Sequence, residues 1–406
     1  MPNNTLEKLE EKTIKQLTTL ICDGDWIESK NQSSSGIRLI QTGNVGDGYY
    51  KDKPENARYI SEDTFKKLNC TEIYSGDCLV SRLPEPLGRA CLIPDRKERM
   101  ITAVDCSIIR FNDKLIVPKY FIYYSMSNLY HTKIINLSTG ATRQRISRKK
   151  LETITIPVPK IEEQQRIVGI LDEAFENIEK AKQNTLQNLN NAKELFESAL
   201  NRTLKDIENM GEFKELSSIT NVKDGTHDSP KYIKDGIPFI TQKNIKENGF
   251  NFITDDTKYI TIEDHNKFYQ RSNVKKNDIL ISMIGANRGM ACIVDVDEIF
   301  SIKNVGLIKE SPNINKYYLL YYLKSDYAKQ YITEKSKGGA QKFVGLTALR
   351  ALPILYVDLE EQKKIISQLD ELQEQTKKLE QIYTQKLKDL DELKQSILQK
   401  AFNGEL

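Results

Sequence analysis

The order of hydrophobic and polar positions divides the chain into two kinds of segment, and each kind occurs twice. Short apolar β-type runs, such as Cys78-Leu79-Val80 and Ile279-Leu280-Ile281, are separated by turn residues and followed by helical patches at 118–131 and 315–331. Elsewhere apolar residues recur at three- and four-residue steps, which is typical of one face of a long helix. The predicted segments are a first globular domain (1–157), a first long helix (158–210), a second globular domain (211–356) and a second long helix (357–406).

The two halves of the chain also repeat in sequence, about 200 residues apart. Ile161-Glu162-Glu163-Gln164 returns as Leu359-Glu360-Glu361-Gln362, and Asp23-Gly24 returns as Asp224-Gly225. A period this long is not that of a solenoid, whose units are far shorter. The fold class predicted is therefore mixed α/β (α+β), with two homologous globular domains and two long helices.

The long helices are predicted to pair with each other. Each would run roughly 45 residues, or about 65–70 Å, and a narrow apolar seam of that length needs a partner helix. Asp358, with Glu361 three residues later, predicts a capped start for the second helix. Because a globular domain separates the helices, we expect an antiparallel coiled coil and an internal pseudo-two-fold repeat. A spacer with no further role is the alternative.

Composition and charge favour a cytoplasmic protein with basic globular domains. The 406 residues carry a net charge of +3, with negative charge concentrated in the helical stretches and positive charge in the globular ones. No apolar run has the length of a membrane span, and the first residues do not resemble a signal peptide. The six cysteines form no CxxC pair, so we expect reduced thiols and neither a zinc site nor a disulfide framework.

The residues expected of an enzyme do not assemble into a site. The three histidines are not at metal-ligand spacing, and neither a phosphate-binding GxxxxGK[ST] loop nor a GxSxG elbow occurs. Asp228-Ser229-Pro230-Lys231-Tyr232 partly matches the loop of base methyltransferases but has a lysine where that loop needs its second proline. Glu28-Ser29-Lys30 has nuclease-like spacing, yet no carboxylate partner can be assigned to it. We predict no catalytic residue, no metal and no cofactor.

Side chains that suit DNA recur at matching positions in both globular stretches. Arg and Lys contact phosphates and guanine edges, Asn and Gln suit adenine, and glycines let the backbone approach a phosphate. In the first stretch the candidates are Arg38, Gln41, Thr42, Asn44, Ser81, Arg82, Arg89, Thr142, Arg143, Gln144, Arg145 and Lys149. In the second stretch they are Thr241, Gln242, Lys243, Asn244, Ser282, Asn287, Arg288, Gln341 and Lys342. Positions that differ between the copies, such as Arg82 against Met283, are expected if the domains read different sequences. Each group alone could also be a solvated turn.

A strand, proline and Glu-Gln pattern precedes each long helix. Ile154-Thr155-Ile156-Pro157-Val158-Pro159 leads to Glu163-Gln164, and Leu352-Pro353-Ile354 leads to Glu361-Gln362. Each junction follows a glycine-rich segment and precedes an isoleucine-rich helix with a Leu-Asp-Glu turn. In this combination, and over essentially its full length, the chain resembles the DNA-specificity (S) subunits of Type I restriction-modification systems. The second copy departs from the pattern, with one proline (Pro353) and no counterpart of the basic run at 148–150.

The resemblance implies a function without catalysis. It implies two target-recognition domains, each reading one half of a split, asymmetric site in double-stranded DNA. The helices would fix the spacing and dock two methyltransferase (M) subunits carrying S-adenosylmethionine, with Glu163, Gln164, Glu361 and Gln362 contributing to the docking. Restriction and translocation (R) subunits would complete a phage-defence complex that methylates adenine and cuts DNA. The chain itself would be a non-catalytic specificity subunit.

Two other functions stay open from the sequence. The chain could be a non-catalytic, two-headed coiled-coil adaptor that binds protein or RNA, which predicts no preference for duplex DNA. It could also be the specificity module of a different methylating assembly that does not restrict.

Overall fold

The protein is described here by a computed structural model covering residues 10–140, 144–339 and 342–406. The chain forms two compact units, and each is described by itself. Unit 1 comprises Met1–Leu186 and Gln385–Leu406, and unit 2 comprises Gln187–Thr384. Each long helix therefore contributes one segment to each unit.

Unit 1 combines short strands with short helices and segments of the two long helices. Its strands are β1 (Glu11–Thr13), β2 (Thr18–Asp23), β3 (Ile37–Ile40), β4 (Arg58–Ile60), β5 (Glu72–Ile73), β6 (Cys78–Ser81), β7 (Ala90–Leu92), β8 (Met100–Thr102), β9 (Cys106–Phe111) and β10 (Thr155–Pro157). Its helices are α1 (Glu62–Leu68), α2 (Pro118–Ser125), α3 (Asn128–Leu137), α4 (Arg148–Leu151) and the start of α5 (Ile161–Asp206).

Unit 2 repeats this succession. Its strands are β11 (Glu212–Glu215), β12 (Val222–Asp224), β13 (Ile237–Ile240), β14 (Ile245–Lys246), β15 (Gly249–Phe250), β16 (Lys258–Ile260), β17 (Ile279–Ser282), β18 (Ala291–Ile293), β19 (Ser301–Ile302), β20 (Val305–Ile308) and β21 (Pro353–Tyr356). Its helices are α6 (Leu216–Ile219), α7 (Ile262–Ser272), α8 (Lys316–Lys324), α9 (Asp326–Lys335), α10 (Leu346–Arg350) and most of α11 (Leu359–Asn403).

The sheets of the two units have matching strand orders. A four-stranded antiparallel sheet has the order β2-β9-β6-β7 in unit 1 and β12-β20-β17-β18 in unit 2. A second sheet places β4-β3-β8 in unit 1 and β16-β13-β19 in unit 2, with a parallel central pairing in each. The sequence repeat is therefore a structural repeat, and the predicted mixed fold with homologous domains is confirmed.

Each predicted helical patch is two helices, separated by a buried serine. Ser127 lies between α2 and α3; its hydroxyl donates to the Tyr124 carbonyl (2.7 Å) and accepts from the Tyr130 backbone N–H (3.3 Å). Ser325 separates α8 from α9, and its hydroxyl donates to the Tyr322 carbonyl (2.6 Å). The hydroxyl caps the end of one helix and, at Ser127, the start of the next, so the chain turns where periodicity alone predicts continuity.

Aromatic side chains of α2 and α3 form the centre of the unit 1 core. Tyr120, Tyr124 and Tyr130 are fully or almost fully buried, and Tyr120 and Tyr124 pack edge-on against Phe402 near the end of α11. Tyr318 and Tyr322 of α8 are likewise buried in the core of unit 2. These rings attach the long helices to the globular part of each unit.

The long helices have the predicted lengths, 46 residues for α5 and 45 for α11. In unit 1 they run antiparallel. Lys182 of α5 pairs with Asp391 of α11, whereas Arg166, nearer the start of α5, donates to the carbonyl of Leu406, beyond the end of α11 (2.6 Å). The Asp358 carboxylate accepts from the Glu361 backbone N–H (2.8 Å), which confirms the predicted cap of α11.

Buried positions on the long helices follow a seven-residue repeat. In the middle of α5 they are Leu171, Ile178, Thr185 and Ala192, whereas Ile167, Leu200 and Leu204 near the ends of α5 are buried in the cores of the two units. This spacing keeps one narrow stripe against a partner helix, as in a left-handed coiled coil. Thr185 tolerates burial because its hydroxyl donates to the Ala181 carbonyl one turn earlier (2.7 Å). Among the described residues, no helix is both long and apolar enough to cross a membrane.

Candidate nucleic-acid interface

Three of the segments singled out by sequence meet around one turn in unit 1, and their counterparts are linked to one another near the equivalent turn of the chain in unit 2. We call it the central turn; it comprises residues 103–105 in unit 1 and 303–304 in unit 2. In unit 1 the Ala103 N–H donates to the Ile40 carbonyl (2.9 Å), directly before the candidate residues 41–44. In unit 2 the Lys303 N–H donates to the Ile240 carbonyl (2.9 Å) in the same way. The parallel pairings β3–β8 and β13–β19 bring these segments together.

The segments 41–44 and 241–244 are short 3₁₀ turns held by their asparagines. The Asn44 side chain accepts from the Gln41 N–H (3.0 Å) and donates to the Lys51 carbonyl (2.9 Å). Asn244 is buried and makes the equivalent bonds to Thr241 and to the Asn251 carbonyl. The asparagines therefore shape the turns, and their neighbours form the accessible part.

Other side chains of these turns differ between the units. Gln41 and Thr42 are half-buried in unit 1. In unit 2 the Gln242 carbonyl oxygen accepts from the buried Ser282 hydroxyl (3.1 Å), while Lys243 is exposed and pairs with the exposed Asp256 (3.0 Å). Lys243 is thus the most available basic group of its turn.

Arg89 is buried and links backbone segments within unit 1. Its guanidinium is buried and donates to the carbonyls of Val45 (2.7 Å), Thr42 (2.8 Å), Leu83 (2.9 Å) and Pro86 (3.0 Å). These bonds join the turn at 41–44 to the end of β6. Burial lowers the pKa of the Arg89 guanidinium, which still stays protonated because its usual value is so high.

Arg82 and Ser81 are also buried at the end of β6. The Arg82 guanidinium donates to the Val104 carbonyl and lies 3.3 Å from an Asp23 carboxylate oxygen, and burial is the main cause of its lowered pKa. The Ser81 hydroxyl donates to the Leu83 carbonyl (3.1 Å). Arg82 thus bonds the backbone of the central turn, whereas the Ser81 side chain bonds the segment after β6.

Arg38 lies in a charged cluster outside the central turn. Its buried guanidinium pairs with Asp52 (2.6 Å) and Glu98 (3.0 Å), and Arg96 pairs with the same two carboxylates. Hydrogen bonds and charge from these carboxylates raise the pKa of Arg38 against the opposing effect of burial, which is the largest single contribution. Its counterpart in unit 2 is Pro238, so this cluster belongs to unit 1 alone.

In unit 2 the corresponding strand end carries Asn287 and Arg288. Asn287 is exposed. The half-buried Arg288 donates to the Ser336 hydroxyl (2.8 Å) and the Gly285 carbonyl (2.7 Å), which links this strand end to the segment that follows α9.

A glycine-containing pair of segments adjoins the central turn in unit 1 and the segment after β17 in unit 2. We define the glycine hairpin as the described residues 139–140 and 144–145 in unit 1, and 337–339 and 342–343 in unit 2. Thr139 and Arg145 exchange two backbone hydrogen bonds (2.9 Å each), and Lys337 and Phe343 do the same (2.8 Å each). The second residue of each hairpin is a glycine with positive φ (109° and 105°), which L side chains rarely adopt.

Several candidate side chains on the hairpins, and one on α4 (Lys149), are exposed. Gln144, Arg145, Lys149 and Lys342 are exposed, and Arg145 pairs with Asp105 of the central turn (2.7 Å). Three further candidates, Thr142, Arg143 and Gln341, lie outside the described residues. In unit 1 the turn at 41–44, the end of β6 and the glycine hairpin each adjoin the central turn. In unit 2 the segment at 241–244 adjoins the central turn and bonds to Ser282 of β17, and the residues after β17 pair with the glycine hairpin.

Sequence reasoning missed two side chains beside the central turn. Trp26, the single tryptophan, is 70 % exposed just after Gly24, and His227 occupies the matching place after Gly225. The repeated Asp-Gly pair was visible in the sequence, but the exposure of the residue two places later was not. Phe343, 44 % exposed, takes the position in unit 2 that Arg145 takes in unit 1.

The junction glutamines are occupied inside each unit. Gln164 is fully buried; its side-chain oxygen accepts from the Val117 N–H (2.8 Å), and its amide donates to the carbonyls of Pro159 (2.8 Å) and Leu115 (3.2 Å). Gln362, equally buried, accepts from the Asn315 N–H (2.8 Å) and donates to the Val357 carbonyl (2.8 Å). They fasten each long helix to its globular part.

The glutamates beside these glutamines face outward. Glu163 pairs with Arg166 (2.6 Å), whose hydrogen bond is the main reason that the pKa of Glu163 is lowered. Glu361 pairs with Lys364 (2.9 Å). Partner docking by these four residues stays a prediction.

A second repeated contact joins each domain to its helix. The Tyr123 hydroxyl donates to Asp172 on α5, and the Tyr321 hydroxyl donates to Asp370 on α11. Burial, followed by the bond to the carboxylate, raises the pKa of both tyrosines. The Leu-Asp-Glu element of the sequence repeat therefore has a structural role.

The cysteines are suited to packing. All six are free thiols, and burial raises the pKa of Cys91 to about 12 and of Cys106 to about 11, so both are neutral near pH 7. Among the residues that the structure describes, no group of three or more His, Cys, Asp or Glu side chains could hold a metal ion.

Sequence comparison gives the family directly. A family model for the Type I restriction modification DNA specificity domain matches twice, at residues 7–188 and 208–389. The MjaVIII specificity subunit of the Type I restriction enzyme from Methanocaldococcus jannaschii is 25 % identical over 310 residues, 72 % of this chain and 71 % of that protein. The putative MjaX specificity subunit from the same organism is 22 % identical over 98 % of this chain and 94 % of that protein.

Solved structures share the fold. A chain from a study of the assembly and conformational transition of a Type I restriction-modification system superposes with a TM-score of 0.75 at 18 % identity, covering 98 % of this chain and 99 % of the other. The HsdS subunit from Thermoanaerobacter tengcongensis superposes with a TM-score of 0.58, also at 18 % identity and 98 % coverage of both chains. The predicted fold and the predicted role as a non-catalytic specificity subunit are confirmed: this chain belongs to the Type I restriction-modification DNA specificity family and carries the family domain twice.

Proposed function

We propose that this specificity subunit reads a bipartite, asymmetric site in double-stranded DNA, with one half read by each globular domain (1–157 and 211–356). Two methyltransferase subunits carrying S-adenosylmethionine would bind along the long helices, and restriction subunits would join the complex in the cytoplasm. The target adenine would be flipped out of the stack by the methyltransferase, because its reactive atom is inaccessible inside a duplex.

One observation carries the proposal. The turn at 41–44, the end of β6 and the glycine hairpin adjoin the central turn of unit 1, and in unit 2 their counterparts are joined to one another by hydrogen bonds and β-bridges. The frame is the same, but the side chains that it presents differ, with Arg145 in one unit and Phe343 in the other. A shared frame with different side chains is what two readers of different half-sites require.

Duplex binding is further supported by the exposed cations around the frame. Arg145 and Lys149 in unit 1, and Lys243 and Lys342 in unit 2, are exposed beside backbone that glycines keep open. Such groups position a protein on phosphates, whereas amides such as Gln41 and Gln144 can contact base edges in the major groove.

The phosphate role predicts a change in salt dependence. The double variant Arg145→Ala/Lys149→Ala should weaken binding to every duplex and reduce the slope of log K against log salt by roughly 2, about 0.9 per phosphate contact. Lys66→Ala/Lys67→Ala on α1 removes equal charge and is the matched control. An unchanged slope in the first variant contradicts phosphate contact by these residues.

Sequence reading is tested by long-read mapping of methyl-adenine in a host expressing this chain with its methyltransferase subunit. We expect a split, asymmetric motif that disappears when this chain is omitted. The same methylation with and without the chain, both proteins being soluble, would favour the adaptor function instead.

A further inference from the structure

A ring side chain is placed at the same exposed position in both units. Gly24 and Gly225 are followed, two residues later, by Trp26 and His227. The indole of Trp26 is 70 % exposed and the imidazole of His227 is 60 % exposed. Such exposure is unusual for a tryptophan, whose large apolar surface is normally covered.

The position is fixed by the backbone before it. A Cβ atom on Gly24 would lie 2.3 Å from the Ala103 carbonyl oxygen, and one on Gly225 would lie 2.2 Å from that of Ile302. Only glycine lets the chain run this close to the neighbouring strand. The next residue in each unit then pairs in parallel with the central turn, Asp25 with Ala103 and Thr226 with Lys303.

In unit 1 this backbone and the glycine hairpin both contact the central turn or the residues next to it. The Asp25 N–H donates to the Thr102 carbonyl (2.8 Å), and the Gly24 N–H donates to the Cys106 carbonyl (2.8 Å), directly beyond the turn. Arg145 of the glycine hairpin pairs with Asp105 (2.7 Å) within it. Trp26 therefore follows a backbone segment that packs on the same turn as the exposed Arg145.

In unit 2 the same frame holds His227. The Thr226 N–H donates to the Ile302 carbonyl (3.0 Å), and the Asn304 N–H donates back to the Thr226 carbonyl (3.1 Å). The imidazole Nδ1 lies 2.7 Å from the Asn304 side-chain oxygen, and Nε2 lies 3.2 Å from an Asp224 oxygen. The ring is oriented by groups of the frame and still has its outer face free to solvent.

We propose that Trp26 and His227 are equivalent specificity-determining positions, each contacting bases of the half-site that its own domain reads. The proposal rests on the function proposed above. Trp26 offers an apolar π face that can stack on an unstacked base or pack against a thymine methyl group. His227 offers the exposed face of an imidazole whose two nitrogens are held by Asn304 and Asp224, and this smaller, more polar face can stack on an unstacked base. The different chemistry at one position suits two half-sites of different sequence.

The test is methyl-adenine mapping of the complex of full-length chain and methyltransferase subunit with Trp26→Ala, Trp26→Phe and His227→Ala. Tyr74→Ala is the matched control, because Tyr74 is an exposed aromatic residue (53 %) preceding the opposite end of β6. We expect Trp26→Ala to lose base preference, or to lower methylation by roughly 5- to 150-fold, at one half-site only. Trp26→Phe should keep part of the wild-type base preference and methylation rate, and His227→Ala should change the base preference at the other half-site only.

The outcomes separate the inference from the proposed function. If the wild-type complex yields no split motif, the proposed function fails. If it yields one and Trp26→Ala gives the same motif and rate as Tyr74→Ala, only this inference fails. A Trp26→Ala chain that no longer folds or no longer purifies with the methyltransferase would also overturn it, because Trp26 would then have a structural role.

A direct measurement uses the fact that the chain has one tryptophan. Acrylamide quenching of the fluorescence of the full-length chain should fall at least about twofold on a duplex carrying the mapped motif, because a contacting base shields the indole. A duplex with the half-site of unit 1 scrambled should protect less. Equal quenching with and without the motif duplex would contradict contact at Trp26.

Discussion

Replacing Gln164 by leucine distinguishes a fastening residue from a partner-docking residue. The Gln164 side chain is fully buried and joins the start of α5 to the globular part of unit 1 through three hydrogen bonds (2.8, 2.8 and 3.2 Å). Gln164→Leu keeps a similar side-chain volume and removes the amide group that makes all three hydrogen bonds. The Val117 N–H and the carbonyls of Leu115 and Pro159 then lose their bonds without gaining water.

The magnitude follows from those three groups. A buried polar group left unpaired costs about 1–3 kcal/mol, and the greater apolar character of leucine offsets part of the sum. We therefore expect Gln164→Leu to lower the free energy of unfolding by about 3 kcal/mol. Gln165→Leu, on the exposed neighbour, should change it by less than about 0.5 kcal/mol.

Urea unfolding followed by circular dichroism measures this difference, with the midpoint compared at equal slope. Purification with the methyltransferase subunit at low temperature supplies the second readout. If Gln164→Leu were as stable as Gln165→Leu but failed to bind the methyltransferase, the fastening role would be refuted and the docking role supported.

Three further substitutions have defined outcomes. Arg89→Met should lower the free energy of unfolding by about 3 kcal/mol, since it removes a buried guanidinium that bonds four backbone carbonyls, one of them on the buried residue Val45. Weaker DNA binding should follow only from that loss, and urea unfolding with and without a constant concentration of duplex checks both. Tyr321→Phe should lower the free energy of unfolding by about 1 kcal/mol, because the buried phenol loses its hydrogen bond to the exposed Asp370; an unchanged urea midpoint would show that this bond does not stabilise the fold. Burial lowers the pKa of His265 in the folded protein. The free energy of unfolding should therefore decrease as pH falls from 7 to 5, because the unfolded imidazole binds a proton more readily than the folded one. His265→Phe should lose less stability over that range, and equal losses would contradict this assignment.

The large-scale fold was predictable because its signals are periodic or repeated. The apolar stripe containing Leu171 and Ile178 specifies a long helix, and the repeat of Asp23-Gly24 as Asp224-Gly225 marks equivalent strand ends. Such patterns can be read from the order of residues alone, without knowing which residues are close in space. The domain boundaries proposed from them stay predictions.

Roles decided by tertiary burial were not predictable. A sequence shows that Arg89 is basic but not that four backbone carbonyls surround it, and it shows that Gln164 recurs but not that its side chain is fully enclosed. Ser127 ends a helix inside an apolar run because its hydroxyl satisfies backbone groups on both sides. Trp26 was missed for the opposite reason, since an apolar ring is ordinarily expected inside.

Duplicating one domain tests the modular account most directly. Residues 22–157 can be replaced by a second copy of residues 223–355. The ends are equivalent, because β2 and β12 end at Asp23 and Asp224, and the carbonyls of Pro157 and Leu355 accept from Tyr120 and Tyr318 in the same way. Methylation mapping with the methyltransferase subunit should then reveal a symmetric motif, composed of two inverted copies of the half-site that unit 2 reads. A motif unchanged from that of the wild type, or one in which neither half matches unit 2, would contradict the claim that each domain reads its own half of the site.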